Sequence, residues 1–361
     1  MSLPQFRLTA ALRARITEML RQTPTVLVLD GMETAWSEDR MQVEDWLEEL
    51  SDINELALVV LLRGAQAPLN WQSTIDIEPL PKNDARKVFL AAAGPRKEDF
   101  SSDRLLPLLL ERLDGMPLAL VLMARLALTY GTLKFVVARF DEMPPNERGI
   151  ENVLDASIAL SLSSLSMTRD AFRLLTILSR LPDGIDIRHE EYELKEVLRR
   201  SAYERLLNLR LAFFDDNDDR LRVLAPIGDS VRRQWKDVKL HKTLEPHRNE
   251  LIGLVEQDES HLVNYYVGFA KDVVTAFGAR HDYSGVTNVI HEMENLAVML
   301  IEALTRDEST AALDVSIGLA DVLRSSATGI GGVERVLEAA RLKAHAMNKR
   351  LEAGSLRTIP W

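Results

Sequence analysis

Two short apolar runs constrain this chain more than anything else in it: VLVL at Val26 to Leu29, and LALVVLL within Glu55 to Gly64. A strand wetted on one face alternates apolar and polar residues, whereas one covered on both faces reads as an unbroken apolar run. Both runs are short and rich in Val and Leu, so both are expected to be strands buried on two faces. Between them, SEDRMQVEDWLEELSDI places Met41, Val43, Trp46, Leu47 and Leu50 largely on one side, the stripe of an amphipathic helix. Strand, helix, strand predicts an α/β layer with a parallel sheet. STIDIEPL, Ser73 to Leu80, alternates and is expected to add a third strand. Upstream, Leu8, Ala11, Leu12, Ile16, Met19 and Leu20 recur near helical spacing.

From Lys82 onward the patterning is helical. NDARKVFLAAAG opens on an Asn cap, and SSDRLLPLLLERLDG opens on a Ser cap and stops at Gly115. MPLALVLMARLAL and LKFVVARF follow, and DEMPPNERG reads as a linker. A second helical set begins at Glu151 and closes on the turn PDG, Pro182 to Gly184. Next come helix YERLLNL, strand LRLAFFD, turn DNDD, strand RLRVLAP and helix IGDSVRRQW, a winged-helix arrangement. Beyond Lys239 about four long helices are expected. The fold class is therefore mainly α with an α/β N-terminal part, divided at 1–80, 81–145, 150–238 and 239–361.

Composition removes several function classes. Lys plus Arg is 44 and Asp plus Glu 55, a net charge of −11 over 361 residues with pI near 5.3. Such a chain repels nucleic-acid phosphates and anionic membranes. With no cysteine, disulfides, thiolate catalysis and Cys-based zinc sites are excluded. The most apolar stretch, Leu105 to Tyr130, carries Glu111, Arg112, Asp114 and Arg125, too many charges for a bilayer helix. MSLPQFRLTAALRAR lacks the apolar core of a secretory signal, so the expected location is cytoplasmic. The seven histidines form no HExxH, and Asp215 to Asp219 lacks the Gly and closing Glu of a calcium loop, so it reads as a hairpin tip.

One residue type in this frame points to chemistry. Asp30 ends the first strand, and ligands of parallel sheets sit beyond the C-terminal ends of strands. A carboxylate there suits hard Mg²⁺, with Glu33 as a second acid to orient water. The other reading is turn chemistry, since Asp-Gly is a common turn pair.

The order of motifs carries more than any one of them. LVLDGMETAW is followed by LALVVLLRGAQAP, IEPLPKNDARKVFL, LDGMPLALVLMA, TILSRLPDGI, RLRVLAPIGDSVRR and HEMENLAVMLIEAL. That succession resembles the NB-ARC module of STAND-class P-loop NTPases, in particular the fungal NB-ARC proteins that continue into TPR arrays, from about Phe6 to the C-terminal helices. The resemblance implies a partial P-loop NTPase sheet, a helical domain, a winged helix and a helical C-terminal region preceding TPR repeats. It makes Asp30 the Walker B acid and magnesium ligand and Glu33 a catalytic acid. Arg63 becomes a sensor arginine, and Gly115 and Pro117 form the GxP turn against adenine and ribose. ADP or ATP with Mg²⁺ would be the cofactors, and protein partners or self-association the mode of action.

The chain also departs from that pattern. No GxxxxGK[ST] occurs, and only Met1 to Thr25 precede the Asp30 strand, so the backbone cradle and lysine for the β- and γ-phosphates are missing. The family's Met-His-Asp reads Leu224-Ala225-Pro226. In the family the strand entering the phosphate loop lies between the two apolar strands. Without it, Val26–Leu29 is expected to pair directly with Leu58–Leu62, or the sheet to be completed by another chain. Two functions follow: a truncated or degenerate STAND nucleotide switch, or a non-catalytic helical interaction protein. A winged-helix DNA reader using Arg232, Arg233 and Lys236 is a third, opposed by the acidic net charge.

Overall fold

A computed structural model describes residues 10–32, 35–36, 39–62, 73–142, 150–187, 198–215, 219–237, 239–280, 285–306, 311–325 and 331–346. The chain is mostly helical and divides into two units, one ending at Ile77 and the other beginning at Glu78.

The first unit holds α1 (Ala10–Leu20), β1 (Thr25–Leu29), α2 (Arg40–Ser51) and β2 (Leu56–Val60). The strands pair in parallel, from Thr25 opposite Leu56 to Leu29 opposite Val60. Direct pairing is thus found, with the partner segment two residues earlier than expected. The ladder runs on at both ends, Thr25 N–H donating to Glu55 O at 3.0 Å and Leu61 N–H to Leu29 O at 2.8 Å. Helix α2 starts where the Asp39 side chain accepts the Gln42 N–H at 3.1 Å, satisfying one of the free amides of a helix N-terminus. Leu20, Leu50 and Ile53 form a small core with Ile16, Leu27, Trp46, Leu56 and Leu58 against it. Arg13 and Glu49 tie α1 to α2 at 2.7 Å.

Burial on two faces is not what this sheet shows. Both strands alternate half-buried and exposed residues, and Val26 and Val28 are 68% and 54% exposed. One helical layer covers a two-stranded sheet on one side only, and an unbroken apolar run does not encode how many sides are covered. Met41, expected on the packed stripe of α2, is exposed as well. Ser73 to Leu80 forms no strand, leaving Ile75 and Ile77 84% and 88% exposed: the sheet has two strands, so this alternating segment has no ladder to join.

The second unit opens with α3 (Lys82–Ala93), preceded by Pro81 rather than capped by Asn83. A short helix α4 (Lys97–Ser101) leads to α5 (Leu106–Arg112), before which Asp103, not a serine, accepts the Leu105 N–H at 2.9 Å. Helix α6 (Pro117–Tyr130) takes Pro117 in its first turn and ends at Gly131 in the left-handed region. It buries Ala119, Leu120, Leu122, Met123, Ala124, Leu126 and Ala127. That is where the most apolar stretch of the sequence goes. Next come α7 (Leu133–Asp141), started by the Thr132 side chain accepting Lys134 N–H, then α8 (Ile150–Leu162) and α9 (Arg169–Leu178), capped by Thr168.

Strand β3 (Ile185–Asp186), helix α10 (Arg200–Leu209), strands β4 (Phe213–Phe214) and β5 (Arg220–Arg222) and helix α11 (Ala225–Gln234) follow. The three strands form an antiparallel sheet in the order β3-β5-β4. The helix-hairpin-helix order matches expectation, while β3, two residues long, carries no periodicity that a sequence could reveal. Helices α12 (Arg248–Arg280), α13 (Val286–His291), α14 (Met293–Arg306), α15 (Ala311–Ser325) and α16 (Gly331–Ala346) complete the unit. One apolar core runs from Ala85 on α3 to Ala344 on α16.

Candidate functional site

Asp30 stands immediately after β1 at the C-terminal end of the parallel pair, exposed to water. Gly31 follows with φ near +69°, a conformation that glycine adopts without strain. Glu33 and Arg63, the other residues assigned to this end of the sheet, lie outside the described residues.

Gly115 and Pro117 share one turn in the second unit, whereas Asp30 belongs to the first. Gly115 has φ +66°, and a Cβ there would lie 2.3 Å from Leu80 O and 2.8 Å from Leu80 N. Leu80 N–H donates to Gly115 O at 3.0 Å. The glycine therefore lets the strand-like segment before α3 press against the turn before α6, and Met116 holds an extended conformation that leads into Pro117.

The most built polar site is one that the sequence reading did not assemble. Its pieces are TILSRLPDGI and HEMENLAVMLIEAL, quoted above as separate motifs. Asn295 is fully buried on α14. Its Oδ1 accepts the Asp183 N–H at 2.9 Å, and its Nδ2 donates toward Gly184 O, Tyr266 Oη and Glu292 Oε2 at 2.8 to 3.0 Å. The Asp183 carboxylate in turn accepts the N–H groups of Glu294 and Asn295 at 2.9 and 3.2 Å. A carboxylate from a distant turn thus caps the first turn of α14, where free amides and the helix dipole favour negative charge. Burial pushes the Asp183 carboxyl above the ordinary aspartate value, against those amides and the charge of Arg220, which hold it down.

Arg220 of β5 closes the node. It donates to Asp183 O and Gly184 O at 2.7 and 2.8 Å and pairs with Glu292 at 2.6 Å, while Tyr266 Oη donates to Glu292 at 2.8 Å. Two further joints run from α9 and its C-terminal end to the C-terminal helices. Arg173 meets Asp258 through two bonds of 2.7 Å, both side chains nearly fully buried. Arg180 pairs with Glu259 at 3.0 Å and with Glu302, and Arg306 joins the same two acids. Each charge in these joints has an opposite partner, the condition under which buried ions are tolerated. The arrangement positions helices and offers no free nucleophile or base.

The three cations of the disfavoured DNA-reading alternative form ion pairs at the surface. Arg232 donates to Ser179 O and Asp229, Arg233 reaches both oxygens of Asp155 at 2.9 Å, and Lys236 pairs with Glu256 at 2.7 Å. Among the described residues, no three His, Asp or Glu side chains stand close enough to share a metal ion. Among the described residues no single helix is long and apolar enough to cross a membrane.

No protein-family model, curated protein or solved structure matches this chain.

Proposed function

We propose that this chain is a non-catalytic regulatory module of STAND type, a helical interaction protein that works through protein partners or self-association. The observation that carries the reading is the Asp183–Asn295 joint. It fastens the turn ahead of the small antiparallel sheet to the C-terminal helices, with Arg173–Asp258 and Arg180–Glu259 beside it. A body cross-tied in this way presents a fixed surface, which a binding partner recognises without an ordering cost. The winged-helix reading of α10 to α11 fits the same role, because each of its basic residues has an acid of this chain beside it and the net charge of the chain is −11.

A nucleotide switch is the second reading, favoured by Asp30 at the end of a parallel strand. In that case ADP or ATP with Mg²⁺ would be held near Asp30. One experiment separates the two. The purified protein is denatured and its supernatant assayed for nucleotide by ion exchange, beside a thermal melt of the intact sample. The interaction module gives a cooperative melt and no nucleotide. Near-stoichiometric ADP or ATP overturns it, and loss of that nucleotide in Asp30→Ala would then assign the site.

A further inference from the structure

Arginines in the second unit pair with acids as a rule: Arg173, Arg180, Arg220, Arg232 and Arg233 each have a carboxylate partner. Among the described residues of that unit Arg86, Arg104, Arg125, Arg205 and Arg210 have no such partner, and of these Arg125 on α6 and Arg210 at the end of α10 stand together. They line one cleft of about 390 Å³ with Leu207, Asn208, Phe213 and Phe214. Nε of Arg125 is buried with no hydrogen-bond partner. Burial, and after it the positive charge of Arg210, pulls the Arg125 guanidinium below the ordinary arginine value. Two like charges share the cleft, and none of the described side chains lining it is acidic.

Backbone conformation adds a second observation. Arg210 sits in the left-handed region at φ 59°, ψ 27°, as the residue that ends α10. Glycine or asparagine usually fills this position, and another residue costs about 1 kcal/mol there. The dipole of α10 accounts for a cation at this end. It does not account for a second, partly desolvated cation facing the first. Arg210 is exposed and Arg125 half-buried, so the cost falls on the buried Arg125 Nε, a donor that a bound acceptor would satisfy.

We propose that this cleft binds a small aryl phosphate monoester, its phosphate held between Arg125 and Arg210 and its ring against Phe213 and Phe214. Guanidinium groups match phosphate oxygens in a planar fork, and a phosphate monoester carries close to two negative charges at neutral pH, one for each arginine. The volume lies at the lower end of the range for small-ligand sites, roughly 300–1,000 Å³, where apolar walls and a few polar groups combine. The assignment uses neither Asp30 nor the Gly115 turn, so it stands or falls apart from the function proposed above.

The test is calorimetric titration of the whole chain at pH 8 and fixed ionic strength with three probes: phenyl phosphate, inorganic phosphate and phenol. Phenyl phosphate is expected to bind at least tenfold more tightly than inorganic phosphate, and phenol not at all. Arg125→Met, which keeps the apolar stem, and Arg210→Gly, which suits the left-handed backbone, should each weaken phenyl phosphate at least tenfold. Arg210→Gly should melt no lower than the wild type, so its loss of binding is not a loss of fold. Equal affinity of Arg210→Gly and wild type for phenyl phosphate, or no binding of it at millimolar concentration, overturns the proposal. Inorganic phosphate binding as tightly as phenyl phosphate overturns the ring's part in it.

Discussion

Asn295 and Asp183 hold each other from both sides: the Asn295 side chain accepts the Asp183 amide at 2.9 Å, and the Asn295 amide donates to the Asp183 carboxylate at 3.2 Å. The two residues are far apart in the chain, and each completes the other's local structure. Asp183 caps α14, while Asn295 fixes the turn that turns the chain into β3.

Removing the Asn295 side chain takes away the partner of the Asp183 N–H, while the Gly184 carbonyl keeps its bond from Arg220. Asn295→Ala is expected to cost about 1–3 kcal/mol, the penalty of one stranded buried polar group. Urea unfolding monitored by circular dichroism would read this as a lower midpoint at unchanged slope. A change below roughly 1 kcal/mol would mean that water replaces the side chain.

The raised Asp183 carboxyl makes a signed prediction about pH. Its native state holds the proton to higher pH than the unfolded chain does, so its contribution to stability is complete below the ordinary aspartate value. That contribution is lost as pH rises through the raised native value. Asp183→Asn cannot titrate. The stability of the wild type relative to this variant should therefore fall as pH climbs out of the acid range and then level off. Denaturant melts of both proteins at matched pH values would show it, and a difference that grows with pH would contradict it.

Arg173 and Asp258 form a fully paired buried ion pair. Asp258→Ala removes the closest acid of a buried guanidinium, leaving Asp170 at 3.9 Å, and should cost about 3 kcal/mol, whereas Arg173→Met with Asp258→Leu should recover most of that loss. Unfolding free energies of the single and the double variant measure both. Equal losses in the single and double variants would show that the pair contributes little beyond packing.

At Gly115 geometry and the sequence resemblance give different emphases. The structure gives the glycine a backbone contact with Leu80, which a Cβ at 2.3 Å would push apart. Gly115→Ala should lower stability by about 3 kcal/mol or more, combining left-handed strain with the lost approach. Pro117→Ala, in a first helical turn where any amide is free, should change stability by less than ~1 kcal/mol. Melting temperatures of the two variants decide between this packing role and a purely ligand-contacting turn.

The parts of the fold legible in the sequence were those with long or continuous patterns. The β1–α2–β2 succession and the hairpin between α10 and α11 fell where their apolar runs and turns placed them. The covered face of the sheet did not, because VLVL reads the same whether one side or two are packed. Ser73 to Leu80 alternates as a strand should, yet alternation supplies no partner. Asp30 was legible as a strand-end acid, and Glu33 and Arg63 fall outside the described residues. The Asp183 node was hidden because a turn aspartate and an asparagine within a helix each have an ordinary local reading. The one available signal was Asn295 itself, a polar residue inside the apolar stripe of HEMENLAVMLIEAL.

The parallel pairing of β1 with β2 closes roughly thirty residues of chain across one helix, a modest loop-closure cost. Every strand contact of the first unit is available once Leu61 has emerged from the ribosome, before the second unit has been made. N-terminal domains fold during synthesis. The sheet that forms then turns Val26, Val28, Val59 and Leu61 outward, and whatever meets it on a nascent chain, whether a chaperone or a neighbouring copy, meets an apolar surface.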